Sequence, residues 1–194
     1  MTVGKNMTKK RKVAWGITGA GDKIIEYLKV MEIVKEKYSE ILDIHVFVSK
    51  AGETVLKFYQ LEARLRQSFE KVHVELNANA PFLAAWLQMG KYEFLFIAPA
   101  TSNTVAKIAN SIGDTMLTNA AIMSLKAFRQ VYVAPTDYKE GICYTKLPNG
   151  KEMKLRVRKE EAAQVDKLRV MDGIHNRRSR KNRRNLQAVR IASA

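Results

Sequence analysis

The run Phe94-Leu95-Phe96-Ile97-Ala98-Pro99-Ala100-Thr101-Ser102-Asn103-Thr104 sets hydroxyl and amide side chains directly behind five apolar residues, and Val105, Ile108 and Ala109 follow at helical spacing. That order describes a buried strand emptying into a polar loop at the start of a helix. Unpaired backbone N–H groups and the helix dipole favour an anion at such a place, so the chemistry to expect is recognition of a phosphate-bearing ligand. A second loop of the same kind, Gly16-Ile17-Thr18-Gly19-Ala20-Gly21-Asp22, has glycines that let backbone approach a ligand closely and a threonine hydroxyl. Ser49-Lys50, behind the apolar run Ile44 to Val48, is a third.

Other chemistries are less well supplied. The glycine loop reads G-x-x-G-x-G rather than G-x-G-x-x-G, and Ser49-Lys50 stands where an NAD enzyme would place an acid for the ribose. A dinucleotide site is disfavoured. The one cysteine, Cys143, excludes an internal disulfide and any multi-cysteine metal site, and suits a reducing compartment. His45, His73 and His175 are too scattered for a histidine metal site, so no metal is expected. No pair of side chains stands out as a general acid and base, and the catalytic residues stay unassigned.

The elements that position these loops follow from periodicity. Val13 to Ile17, Ile44 to Val48, Val72 to Val74, Phe94 to Ala98 and Val131 to Ala134 read as five strands with continuous rather than alternating apolar character. Helical spacing predicts a helix capped by Asp22, one from Gly52 to Leu65, one over 81–89, and others over 103–112 and 117–128. Strands alternating with helices predict a doubly wound, Rossmann-like parallel sheet in the α/β class, with ligands at the C-terminal ends of the strands. Past Pro135, Cys143 to Leu147 and Met153 to Val157 flank Pro148-Asn149-Gly150 and predict an appended β-hairpin, followed by a short helix over 159–170.

The chain has 194 residues and a formal charge of +15, but the excess is terminal. Residues 1–12 and 175–194 hold 12 of the 34 basic residues and no acid, which leaves 22 basic against 19 acidic residues between them. A domain over 13–174 between two basic tails is expected, with any nucleic-acid binding limited to non-specific attraction by the tails. No window approaches the roughly 18 apolar residues of a membrane span. The short run after Lys9 to Lys12 is broken by Asp22-Lys23 where a secretory signal would continue, so a cytoplasmic location is expected.

Pro99-Ala100-Thr101-Ser102-Asn103-Thr104 resembles the Pro-Ala-Ser-Ala-Asn-Thr motif of the flavin-containing cysteine decarboxylase superfamily, which includes the flavin prenyltransferases. Ile108-Ala109-Asn110 and Asp114 to Ala120 continue the similarity, which covers about residues 13–135. The resemblance implies FMN as cofactor, often at the interface of homotrimers. It implies Thr18, Gly19, Ala20, Gly21, Asp22 and Ser49 on the phosphate side, and Thr101, Ser102, Asn103 and Thr104 on phosphate, ribityl chain or ring edge. Pro99 and Ala100 would shape the turn.

The chain departs from the decarboxylases after the fifth strand. Their Pro-x-Met-Asn loop is replaced by Pro135-Thr136-Asp137-Tyr138, and the prenyltransferases' basic residue there is missing as well. His73-Val74-Glu75-Leu76 lies too far upstream of Pro99 to match the decarboxylases' histidine segment, so His73 is read as structural. The segment 143–175 resembles the archaeal branch, which holds the archaeoflavoproteins and the dihydromethanopterin reductase that accepts electrons through FMN. That branch implies an electron-transfer flavoprotein forming homo-oligomers, with reduced ferredoxin as donor. An FMN-dependent pterin reductase and a cysteine-type decarboxylase are the alternatives.

Overall fold

The computed structural model describes residues 10–176. In chain order the elements are β1 (Arg11–Ile17), α1 (Ile24–Lys37), β2 (Leu42–Val48), α2 (Lys50–Phe58), α3 (Glu62–Ser68), β3 (Val72–Val74), α4 (Leu83–Gln88) and β4 (Leu95–Ala100). They continue with α5 (Ser102–Ala109), α6 (Met116–Lys126), β5 (Val131–Pro135), β6 (Gly141–Lys146), β7 (Glu152–Val157), α7 (Lys159–Arg169) and β8 (Ile174–Asn176). Six strands form one sheet in the order β3-β2-β1-β4-β5-β8, every neighbouring pair parallel. The expected doubly wound α/β architecture is present, with β6 and β7 as a separate antiparallel hairpin.

Burial on both faces explains the continuous apolar strands. Trp15, Ile17, Val46, Val48 and Ala98 pack with Leu28 and Met31 of α1, Leu56 of α2 and Leu65 of α3 on one face. Ala14, Phe47, Leu95, Ile97, Val131 and Val133 pack on the other with Leu83 and Leu87 of α4, Val105 and Ile108 of α5, Leu117 of α6, and Val165 and Leu168 of α7. Each such large side chain, taken fully out of water, contributes about 1.5–3 kcal/mol.

Several boundaries differ from the sequence expectation. The single helix expected to run to Leu65 is two, because Gln60 takes a left-handed conformation (φ 57°) and the Leu61 N–H returns to the Leu56 carbonyl. The same closure ends α5 at Ser111 (φ 57°, Ile112 N–H to Lys107 carbonyl) and α6 at Phe128 (φ 56°, Arg129 N–H to Ser124 carbonyl). None of the three has the glycine that usually announces such a stop. Asp22 does not cap α1: the capping position is Lys23, at φ 56°, with no side-chain cap.

In the hairpin, Gly150 supplies the positive φ (80°) of the turn while Asn149 Oδ1 accepts from the Lys151 N–H. The strand β8, absent from the sequence expectation, pairs with β5 as the sixth strand, and its last two residues belong to the segment assigned to the basic C-terminal tail. Residues 1–9 and 177–194 of the two tails lie outside the described residues.

Candidate functional site

Strand order places the site. The chain winds outward in opposite directions from the β1–β4 pair, so the loops leaving their C-terminal ends splay apart and open a crevice there. β2 is the other neighbour of β1, which brings Ser49 to the same edge.

Thr18 joins the two principal loops. Its Oγ1 donates to the Pro99 carbonyl at 2.8 Å and accepts from the Thr101 N–H at 3.0 Å, while its own N–H reaches the Pro99 carbonyl at 3.3 Å. The β4–β5 pairing shifts register between Ile97 and Ala100, within the segment holding Pro99. With 2 % exposure and its hydroxyl engaged in both directions, Thr18 holds the loops together rather than offering itself to a ligand. Gly19 lies so close to the start of α2 that a Cβ there would stand 2.8 Å from the Ala51 Cβ.

The polar groups of the β4–α5 turn divide by what they already bind. Thr101 caps α5: its hydroxyl accepts from the Thr104 N–H at 3.2 Å and pairs with the Thr104 hydroxyl at 3.0 Å. Pro99 and Ala100 belong to β4, with Ala100 wholly buried. The N–H groups of Ser102 and Asn103, first in α5, bond to no protein acceptor among the described residues, and neither do those of Gly19 and Ala20. Ser49 caps α2 by accepting from the Gly52 N–H at 3.0 Å, which leaves its hydroxyl hydrogen able to donate. Two neighbouring stretches of unpaired N–H groups, beside the Ser49 hydroxyl and the side chains of Ser102 and Asn103, suit an anion with several acceptor oxygens.

One residue of this edge escaped the sequence reading. Glu75, behind β3 and 7 % exposed, accepts from the Lys50 N–H at 3.0 Å through Oε2 and from the Met116 N–H at 2.8 Å through Oε1. Those are the first N–H groups of α2 and α6. No local pattern signals such a contact, since the partners lie 25 and 41 residues away.

His73 is stacked on Phe47 (centroids 4.9 Å apart, planes 18° apart) and sits edge-on to Trp86, within an aromatic cluster. Burial, and then the positive charges of Lys91 and Lys71, lower its pKa, so it rests neutral. In the loop after β5, the Thr136 N–H donates to the Ala100 carbonyl at 3.0 Å and its hydroxyl to Asp137 at 3.2 Å.

The hairpin borders the same edge. Burial, followed by the negative charges of Asp22 and Asp137, pushes the Cys143 thiol above its ordinary pKa, which puts this β6 side chain within electrostatic reach of both loops. The Tyr59 hydroxyl donates to the Lys146 carbonyl at 2.9 Å, and a Cβ on Gly21 would touch the same ring at 3.1 Å. Tyr59 therefore couples the hairpin to the glycine loop. Among the described residues, no group of three or more His, Cys, Asp and Glu could hold a metal ion, and no helix is long and apolar enough to cross a membrane.

Comparison with known proteins shows the family and the fold. The family model described as Flavoprotein matches residues 2–170. An uncharacterized protein of Methanocaldococcus jannaschii is 45% identical over 84% of this chain and 87% of its own length. A dihydromethanopterin reductase (acceptor) of the same organism is 40% identical over 71% of this chain, but the match spans only 58% of that reductase. Among solved structures, Burkholderia xenovorans DmrB in complex with FMN, described as a cubic protein cage for redox transfer, superposes with a TM-score of 0.74 at 30% identity, covering 95% of this chain and 97% of that one.

Proposed function

The chain belongs to the Flavoprotein family, and from that premise we propose that it binds FMN at the β1–β4 crevice and works as an electron-transfer flavoprotein. The observation that carries the proposal is the set of unpaired N–H groups at Gly19, Ala20, Ser102 and Asn103, held side by side by the Thr18 bridge to Pro99 and Thr101. These groups fit a phosphate. The amides and the Ser49 hydroxyl would hold the phosphate, the Ser102 and Asn103 side chains would reach the ribityl chain or ring edge, and the glycine loop would leave room for both. Bound FMN supplies one- and two-electron chemistry, so the protein need only bind, orient and exclude water. That demand suits a site where His73 is packed into an aromatic cluster and Pro135-Thr136-Asp137-Tyr138 replaces the decarboxylase loop.

Reduced ferredoxin is the donor we propose, with the chain acting in the cytoplasm as a trimer-based homo-oligomer; the cage formed by DmrB supports the assembly. The basic tails would speed encounter with an acidic donor at low ionic strength. A second reading, reduction of a pterin, is favoured by the 40% identical dihydromethanopterin reductase, although this chain matches little more than half of it.

Anaerobic reconstitution tests these readings together. The purified chain should turn yellow with FMN, be reduced by ferredoxin, and, if it is a pterin reductase, be reoxidised by dihydromethanopterin. A colourless chain that takes up no FMN sinks both readings. Reoxidation by other acceptors but not by the pterin leaves only the carrier.

A further inference from the structure

Glu75 is a buried carboxylate that neither the cofactor motif nor the proposed chemistry uses. It lies where two helices point their positive ends inward, and each oxygen takes one charge-assisted bond from a helix N-terminus. Its own N–H donates to the Val48 carbonyl at 2.9 Å, so it is also pinned to the last residue of β2. Ser49 lies between these anchors. The Ser49 N–H is held by the Ile17 carbonyl at 3.0 Å, its Oγ by the Gly52 N–H, and the next N–H along the chain, that of Lys50, by Glu75.

We propose that Glu75 is a positioning residue for the phosphate side of the site, fixing the first turn of α2 so that the Ser49 hydroxyl is presented to the anion; the proposal rests on the FMN reading above. The carboxylate form matters because two N–H groups need two acceptors. A glutamine of the same shape accepts at one end and turns an NH2 toward the other N–H, so one helix start is released while volume and burial are kept. Loss of the charge by itself would favour a phosphate nearby. Positioning and repulsion therefore push affinity in opposite directions.

The test compares FMN with riboflavin, which lacks the phosphate, in the full chain and its E75Q, S49A and double variants. The expected result is a preference for FMN over riboflavin that drops at least about fivefold in E75Q and in S49A, with riboflavin affinity within about twofold of the parent. The double variant should lose no more than the worse single one, because both changes act through one hydroxyl. An unchanged or increased FMN preference in E75Q overturns the proposal, and so do losses that add in the double variant or equal losses for both flavins. Amide hydrogen exchange of the flavin-free chain supplies an independent reading: the Lys50 amide, at the helix start whose release the proposal requires, should exchange faster in E75Q. If the parent binds FMN no better than riboflavin, the phosphate role is overturned even where exchange accelerates; if it binds neither, the cofactor reading itself has failed.

Discussion

The Thr18 hydroxyl donates to the Pro99 carbonyl at 2.8 Å across 81 residues of sequence, and the same oxygen accepts from the Thr101 N–H. This bond joins the glycine loop to the β4–α5 turn and sets the spacing of the N–H groups on either side. Replacing Thr18 by Val keeps the shape and leaves the Thr101 N–H without its acceptor inside the protein. Such a loss costs about 1–3 kcal/mol, so T18V should unfold at lower urea concentration and bind FMN more weakly, while T18S recovers both. Equal urea midpoints for T18V and the parent would remove the bridge from the account.

Gly19 makes a different demand, that of close approach. A methyl group there meets the Ala51 Cβ at 2.8 Å and the Ala51 backbone carbon at 3.2 Å, and a helix start cannot give way as a flexible side chain can. Overpacking of this kind costs about 1–3 kcal/mol. G19A should lower FMN affinity about tenfold, read by fluorescence titration, and adding A51G should restore part of it by removing the nearest contact. No recovery in the double variant would show that the alanine acts through the ligand's own space instead.

These two relationships mark how far the sequence could be read. Thr18, Gly19 and the turn at Thr101 were visible because polar and glycine residues interrupt apolar strands at their ends, and strand alternation with helices then dictated the parallel sheet. The helix ends at Gln60, Ser111 and Phe128 were not, since each adopts a left-handed conformation without the glycine that marks it, and apolar spacing runs on past the break. The strand β8 is three residues long and gains its identity only by pairing with β5. Glu75 looked like any loop acid because its partners are set by the tertiary fold.

The histidines predict a pH dependence of stability. Burial lowers the pKa of His45 despite its contact with Asp43, and burial is also the first cause of the lowered values at His73 and His175. His45 Nδ1 pairs with the Tyr92 hydroxyl at 2.8 Å, whose own pKa is pushed well above its ordinary value by burial and then by the Asp43 charge, so the phenol stays protonated and donates to neutral His45. With folded pKa values depressed, the unfolded chain takes up protons first as pH falls, and stability is lost from about pH 6.5 downward through the folded values. Asp43, held below its ordinary pKa by Lys71 and His45 against the opposing effect of burial, adds a separate loss only in the acid range below about pH 4. Urea midpoints should therefore fall between pH 7.5 and 5.5, with a shallower fall in H45N. A midpoint independent of pH over that interval would contradict the buried neutral state.

Tyr59 provides the last prediction, because it touches the hairpin and the glycine loop at once. A two-stranded sheet is marginal by itself, and β6–β7 depends on such contacts with the domain. The Tyr59 hydroxyl bonds to Lys146 at one end of β6, and Cys143 lies three residues away on the same strand, half-buried near Asp22 and Asp137. Y59F deletes one bond and keeps the ring against Gly21, so the domain should unfold almost as before while the hairpin opens more often. A single hydrogen bond contributes about 0.5–1.5 kcal/mol, which corresponds to a rise of about twofold to about thirteenfold in the open population. The Cys143 thiol reports that opening directly, since its raised pKa and partial burial keep it slow toward a disulfide reagent in the closed form. Its labelling rate should rise by that factor in Y59F at unchanged urea midpoint. Equal labelling rates would mean that Cys143 is exposed without hairpin opening, and that the Tyr59 bond does not control access to this edge of the site.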